Sequence, residues 1–457
     1  MQDILQYLEE RRSQCEEDLC ALLRIPSVSA VSSHADDVRT AAGWLVDYLA
    51  RLGLDVELHE TAGHPIVQAQ TPEVAGAARV LVYGHYDVQP PDPLDQWISP
   101  PFEPTRRNGN LYARGATDDK GQMLTHVMST AAWLACRGEL PIQVKFLIEG
   151  EEEVGSAHLE GFVHERADSL ACDVVVISDT AQFAPGQPAI TYGLRGIAYY
   201  ELTLRGPTQD LHSGSFGGAV TNPATALAQL LASIVDDQGR VQVPGFYDDV
   251  VPLAESERNQ LAALPFDEAA FQRAIGVDGT SGEAGYSNLE RRWCRPSYDV
   301  CGIASGYQGE GAKTIIPAAA TGKFSFRLVP QQDPRKIAAA LDRYLAERCP
   351  PGLKMELNGF HGAPGVVVPL ESPYMSAAAQ AIEHGFGTAP VYIREGGSIP
   401  VVSSFYEVLG VDTLLLGWGL SDDNTHSPNE KFSLADFHRG IRASAHLWNE
   451  LAKLRSK

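Results

Sequence analysis

The chain has 457 residues, 44% of them hydrophobic and 21% charged, and its 58 acidic against 36 basic side chains give a formal net charge of −22. That length exceeds what one hydrophobic core organises, so two domains are expected, and the composition excludes an intrinsically disordered chain. The acidic excess repels phosphate backbones and anionic lipid surfaces, which argues against nucleic-acid and membrane partners.

The opening MQDILQYLEERRSQCEED mixes acids and arginines without a continuous apolar stretch and reads as neither signal peptide nor membrane span. No later segment approaches the ~20 apolar residues a bilayer requires. Seven cysteines, at 15, 20, 136, 172, 294, 301 and 349, form no C-x-x-C pair, a pattern that fits buried thiols in a reducing cytoplasm. Acidic residues outside the clusters described below are expected to be solvated surface.

Residues 1–75 read as helix, loop, helix and an extended run, with Pro26 ending the first helical pattern after Ile25. Four short runs rich in Val, Ile and Leu then lead into polar residues. Residues 80–83 precede Gly84-His85-Tyr86-Asp87, 144–148 precede a run of glutamates, 174–177 precede Ser178-Asp179, and 413–416 lead through a glycine-rich turn to His426. Apolar runs without alternation predict strands covered on both faces of a parallel sheet. A helical pattern over 122–136 separates two of them, so the fold class is α/β: an open, mostly parallel sheet flanked by helices, with ligands bound beyond the strand carboxyl ends.

The middle of the chain has a different texture. Strands over 196–204, 322–329 and 354–357 and helices over 222–234 and 334–347, with an irregular stretch at 235–313, predict an inserted α+β unit. The main domain is then residues 1–193 and 365–457, and the insertion is 194–364. No internal repeat is present.

In YGHYDV, His85 closes a buried strand and Asp87 stands where it can anchor the second ring nitrogen, as metal-bound imidazoles require; strand-end histidines also serve purely structural ends. In YARGATDDKGQM, Asp118, Asp119 and Lys120 lie between glycines before an apolar helix, which suits a helix cap or a ligand turn. In EGEEEVGS, adjacent glutamates repel one another unless water or a cation separates them, so the segment is a solvated loop or a site that holds positive charge. Asp179 in VVVISDT and His426 in DDNTHSPNE carry no signal alone. Together, His85, Asp118, Glu153, Asp179 and His426 offer the oxygen and nitrogen donors that borderline-hard dications such as Zn²⁺ accept, and one carboxylate can bridge two ions about 3.5–4 Å apart.

The order and spacing of GHYDV, RGATDDKG, EGEEEVGS, VISDT and THSPNE resemble the dinuclear zinc hydrolase family of carnosinase-like cytosolic dipeptidases, aminoacylase, glutamate carboxypeptidase and succinyl-diaminopimelate desuccinylase. The resemblance spans almost the whole chain. It implies that Asp118 bridges two divalent ions, Zn with Mn or Co as alternatives. His85 and Asp179 complete one site, and Glu153 and His426 the other. It further implies Glu152 as general base, Asp87 as the group orienting His85, and a cis Asp118-Asp119 peptide. Glu151 has no role in the pattern and is expected to be solvated.

In the insertion, DLHSGSFGG, AKTIIP, FSFRLVP and, less closely, FHGAP resemble the carnosinase-like branch. The insertion is then a lid and dimerisation domain. His212 would stabilise the oxyanion in the site of a partner subunit, and Arg327 would hold the substrate's terminal carboxylate. Thr314, His361, Gly397 and Ser398 would line the rest of the pocket, although the loop bearing His361 is one residue shorter than the family pattern. Aspartate at 179 accompanies dipeptidases and aminopeptidases in the resemblance, whereas deacylases more often carry glutamate.

The expectation is a cytoplasmic, homodimeric metallodipeptidase acting on short peptides with a free C-terminal carboxylate. The alternatives are an N-acyl-amino-acid or carbamoyl amidohydrolase on the same scaffold and, from another class, a non-catalytic binding protein built on an enzyme fold. GYQGEGAKT carries an extra Ala312 and lacks the strand-then-helix context of a phosphate loop, and neither H-E-x-x-H nor G-x-S-x-G occurs.

Overall fold

The computed structural model describes residues 1–397 and 399–454. They form two compact units, one of Met1–Tyr192, Val368–Ile393 and Ser404–Lys457, the other of Gly193–Val367 and Arg394–Ser403.

In the first unit the strands are ordered Asp55–His59, Ile66–Gln70, Gln143–Glu149, Arg79–His85, Val174–Ile177, Thr413–Gly417 and Ala189–Leu194. The four apolar runs are the parallel centre: Arg79–His85 pairs with Gln143–Glu149 and Val174–Ile177, which in turn pairs with Thr413–Gly417. The flanking strands pair antiparallel. Every residue of Gln143–Glu149, Val174–Ile177 and Thr413–Gly417 is buried, which is why these strands lack alternation. Each buried aliphatic side chain contributes about 1.5–3 kcal/mol.

Helices Gln2–Glu10, Lys120–Arg137, Pro373–Phe386 and Leu434–Leu451 pack together in the core beside this sheet. Trp133 Nε1 donates to the Ala445 carbonyl at 3.1 Å, and Trp448 Nε1 to Ser129 Oγ at 2.9 Å. A β-carbon at Gly385 would lie 2.6 Å from the Ala443 Cα, so only glycine permits this helix contact. Lys120–Arg137 ends at Gly138, whose φ of 76° is the left-handed stop that glycine adopts freely. No described helix is long and apolar enough to cross a membrane.

His126 on that helix is fully buried beside Trp418 and Trp448, with Nε2 2.8 Å from Ser178 Oγ. Burial lowers its pKa to about 3. An unfolded chain takes up this proton near pH 6.5 and the folded chain refuses it until about pH 3, so stability declines as pH falls through that window. The histidine's share is about 1.4 kcal/mol per pH unit. His126→Gln is expected to show a correspondingly shallower loss of unfolding free energy between about pH 6 and 4 in urea titrations; parallel slopes in variant and parent would contradict it.

The second unit holds an antiparallel sheet ordered Ser297–Ser305, Ala319–Leu328, Gly196–Arg205, Lys354–Ala363. Helices Pro223–Ser233 and Pro334–Arg348 supply the other half of its core, giving an α+β unit. Both helices begin with proline behind a side-chain cap, Asn222 and Asp333 respectively.

The expected irregular stretch at 235–313 is corrected. It contains helices Glu255–Ala262, Glu268–Ile275 and Asn288–Trp293 and the strand Ser297–Ser305. That strand escapes pattern reading because it is an edge strand, mostly exposed, with a register shift between Val300 and Gly302. Asn288–Trp293 starts at a capping box of Ser287 and Glu290. Cys301 on the edge strand is exposed, against the expectation of buried thiols, whereas Cys15, Cys20, Cys172 and Cys294 are buried.

Candidate metal centre

The parallel strands deliver their polar residues to one end of the sheet. His85 is the last residue of Arg79–His85, Glu152 and Glu153 form a short 3-10 turn after Gln143–Glu149, Asp179 follows Val174–Ile177, and Asp118 precedes the Lys120–Arg137 helix. His426 lies on the loop after Thr413–Gly417, in a left-handed backbone with φ of 59°, as do its neighbours Asn424 and Asn429. Non-glycine residues in that region cost backbone energy that the surroundings must offset, as at functional sites.

Two triplets of ligand atoms result. His85, Asp118 and Asp179 form one, Asp118, Glu153 and His426 the other, each with its atoms within 4.8 Å of one another. His85 Nε2 is 3.2 Å from Asp118 Oδ1 and 3.9 Å from Asp179 Oδ2. His426 Nε2 is 3.0 Å from Asp118 Oδ2 and 3.3 Å from Glu153 Oε2. Asp118 thus turns one oxygen to each triplet.

The surroundings fix these groups. His85 Nδ1 donates to the Asp87 carbonyl at 3.1 Å and lies 3.3 Å from Asp87 Oδ1, so its Nε2 lone pair points at the carboxylates. Asp87 Oδ2 accepts from the Glu153 backbone N–H at 3.1 Å, which ties the first strand end to the glutamate turn. Gln89 Nε2 donates to Glu153 Oε2 at 2.7 Å. The Asp118-Asp119 peptide is cis, and Asp119 Oδ2 accepts from the His85 backbone N–H at 3.2 Å. Gly84 leaves room for that carboxylate, since a β-carbon there would lie 2.8 Å from it.

The donor chemistry fits divalent ions. His85 Nε2 is buried and has no hydrogen-bond partner among the described residues, yet it faces two carboxylate oxygens. Lone pairs gathered at this density, and two imidazole nitrogens among three carboxylates, match the hard-to-borderline donor set of a dinuclear centre. The electrostatics show the same crowding. Burial, then the charges of Asp118 and Asp119, push Asp179 well above the usual carboxylate range. Against the upward push of burial, contacts from the His426 and His85 imidazoles hold Asp118 below that range. The Asp118 and Glu153 carboxylates raise His426 to about 10.

Glu152 is not in either triplet. Burial, reinforced by the neighbouring charges of Glu153, Asp118 and Asp87 and opposed by His85, raises its pKa to about 7. A carboxylate at that value accepts a proton readily and gives it back near neutral pH. Behind it, burial lifts Glu149 to about 8, with Tyr83 Oη donating to it at 2.6 Å.

Glu151 is corrected: it is 7% exposed and its carboxylate lies 2.7 Å from His158 Nδ1, a local pair that the glutamate run alone did not reveal.

The other expected residues belong to the second unit. His212 sits on the short strand Leu211–His212, paired with Ile315–Ile316, and the Thr314 carbonyl accepts from the Ser213 N–H at 3.1 Å, so His212 and Thr314 adjoin. His212 is exposed, and its Nδ1 accepts from the Gly214 N–H at 3.0 Å, which places the neutral ring's proton on Nε2. Arg327, on Ala319–Leu328, stands opposite Ser297 and Ile197, and burial lowers its guanidinium while Asp299 pushes back. Gly397 follows Gly396, whose carbonyl accepts from Arg195 Nε at 3.2 Å. Ser398 and the side chain of His361 lie outside the described residues.

Three residues bearing on the centre were not singled out from the sequence. Gln89 lies two residues beyond Asp87. Arg114 opens RGATDDKG and Glu430 closes THSPNE, both inside motifs already noted.

Residues 81–450 match the family model described as peptidase family M20/M25/M40. The human Beta-Ala-His dipeptidase is 36% identical over 85% of this chain and 78% of its own length. The Cys-Gly metallodipeptidase of Schizosaccharomyces pombe is 32% identical over 99% of this chain and 98% of its own. The crystal structure of human carnosine dipeptidase 1 superposes with a TM-score of 0.87 at 33% identity, covering 99% of each chain. A match running from the strand that ends in His85 to the last helix takes in every one of the clustered donors, and the chain belongs to peptidase family M20/M25/M40.

Proposed function

We propose that this chain is a metal-dependent dipeptidase that hydrolyses the amide bond of dipeptides and short peptides bearing a free C-terminal carboxylate. The observation that carries the reading is the pair of donor triplets sharing Asp118, with Glu152 beside them at a pKa of about 7. The names of the relatives, a Beta-Ala-His dipeptidase and a Cys-Gly metallodipeptidase, support the substrate class.

His85, Asp118 and Asp179 would hold one divalent ion and Asp118, Glu153 and His426 the second; Zn²⁺ suits the donors, and Mn²⁺ or Co²⁺ would also be accepted. When bound, such ions acidify water and polarise an amide carbonyl. Glu152 takes a proton from the attacking water and passes it to the nitrogen of the departing amine. Asp87 keeps His85 in the tautomer that presents Nε2.

In the second unit, His212 donates a hydrogen bond from Nε2–H to the oxyanion in the site of a second copy of the chain. Arg327 receives the substrate carboxylate as a planar bidentate partner, and Thr314, His361, Gly397 and Ser398 complete the binding surface. The working form is a cytoplasmic homodimer joined through the second unit, the lid and dimerisation domain, with the first unit forming the catalytic domain.

A panel pairing dipeptides with their N-acetyl-amino-acid counterparts tests the reading. Dipeptides are expected to be cleaved with kcat/KM about tenfold or more above the acetylated compounds, a gap of about 1.4 kcal/mol in transition-state binding. Preference for the acetylated compounds would make the enzyme an amidohydrolase instead, and a metal-loaded protein that leaves both classes intact would make it a binding protein.

A further inference from the structure

We infer that Glu430 is a positioning residue for the shared ligand: its carboxylate fixes the backbone of Asp118 against the loop that carries His426, and so sets how Asp118 is shared between the two triplets. The inference rests on the metal reading above.

The Glu430 side chain is completely buried. Its Oε1 accepts from the backbone N–H of Thr117 at 2.9 Å and of Asp118 at 3.2 Å. Its Oε2 accepts from the N–H of Gly115 at 2.9 Å and from the Arg114 guanidinium at 2.8 Å. Four N–H donors fill both oxygens, so the geometry accommodates a carboxylate and leaves no acceptor for a carboxyl proton.

The same contacts join two loops. Glu430 stands four residues after His426. Arg114 also donates to the Ser427 carbonyl at 3.2 Å and the Pro90 carbonyl at 3.4 Å, and the Thr117 hydroxyl donates to the Lys431 carbonyl at 2.7 Å. Segments 114–118 and 427–431 are therefore locked together on either side of the Asp118–His426 contact. Because Asp118 presents one oxygen to each triplet, a shift of its backbone disturbs both at once.

The competing role for Glu430 is to neutralise Arg114 and nothing more. Glu430→Asp separates the two: it keeps a negative charge beside Arg114 but draws the carboxylate back by one methylene from the 117–118 N–H groups. Glu430→Gln removes the charge and turns an N–H toward other N–H groups.

Metal-stripped parent and variants would be titrated with Zn²⁺ by calorimetry, and their Co²⁺ forms compared by visible absorption and by magnetic coupling between the ions. Both variants are expected to bind with dissociation constants raised at least tenfold, the effect of losing a partner that orients a ligand, and with altered Co²⁺ spectra and weakened coupling. If Glu430→Gln does not fold, Glu430→Asp carries the test. A Glu430→Asp protein that is folded by circular dichroism and binds both ions with parental affinity and spectra overturns the inference while leaving the metal reading intact. A parent chain that takes up no ions sinks the metal reading, and this inference with it.

Discussion

The Glu152→Gln variant is expected to lose turnover by about 10³-fold, within the range general acid–base groups supply, while its metal content and KM stay near those of the parent. The amide has almost the same shape as the carboxylate but cannot take a proton from water or return one to the leaving amine. Glu152 belongs to neither donor triplet, so its replacement leaves all five proposed ligands in place. Steady-state kinetics on a cleaved dipeptide together with elemental analysis decide the matter. Activity within a factor of about five of the parent would remove Glu152 from the role of base, because a lone proton-transfer group is worth far more than that. Loss of metal in parallel with activity would mean that Glu152 supports the ions and not the proton transfer.

Asp118→Ala is expected to empty both metal positions together, whereas His426→Ala empties one. The asymmetry follows from the geometry: Asp118 contributes an oxygen to each triplet, while His426 approaches only Asp118 and Glu153. His426 is also 58% exposed, whereas Asp118 is largely buried between the two triplets. Ions bound per chain, measured after dialysis against a fixed free Zn²⁺ concentration, should fall from about two to below about 0.2 in Asp118→Ala and to about one in His426→Ala, given loss of a shared against a terminal ligand. Equal losses in the two variants would show that the triplets do not share Asp118 as a bridge.

The clustering of the candidate donors was legible because they stand at the ends of apolar strands that periodicity identifies. Arg79–His85, Gln143–Glu149, Val174–Ile177 and Thr413–Gly417 are each buried on both faces, and the residues that follow them are the ones that converge. What escaped has a common physical cause. Glu430 works by accepting backbone N–H groups more than 300 residues earlier in the chain, and backbone donors leave no trace in a side-chain pattern. Glu151 read as solvated because charge in a loop usually is, yet His158 seven residues later pairs with it and lets it be buried. The strand Ser297–Ser305 was hidden because an exposed edge with a register shift has no face to alternate.

The order of segments along the chain also bears on how the protein comes into being. Thr413–Gly417 lies between Val174–Ile177 and Ala189–Leu194 in the sheet, yet it is translated more than 200 residues after either. On the ribosome the gap for this strand stays open while the whole intervening unit, with its own core, is made and can close. A nascent chain that ends before residue 426 thus lacks both His426 and the Glu430 carboxylate that clasps Asp118, while its earlier segments already carry His85, Asp118, Glu153 and Asp179.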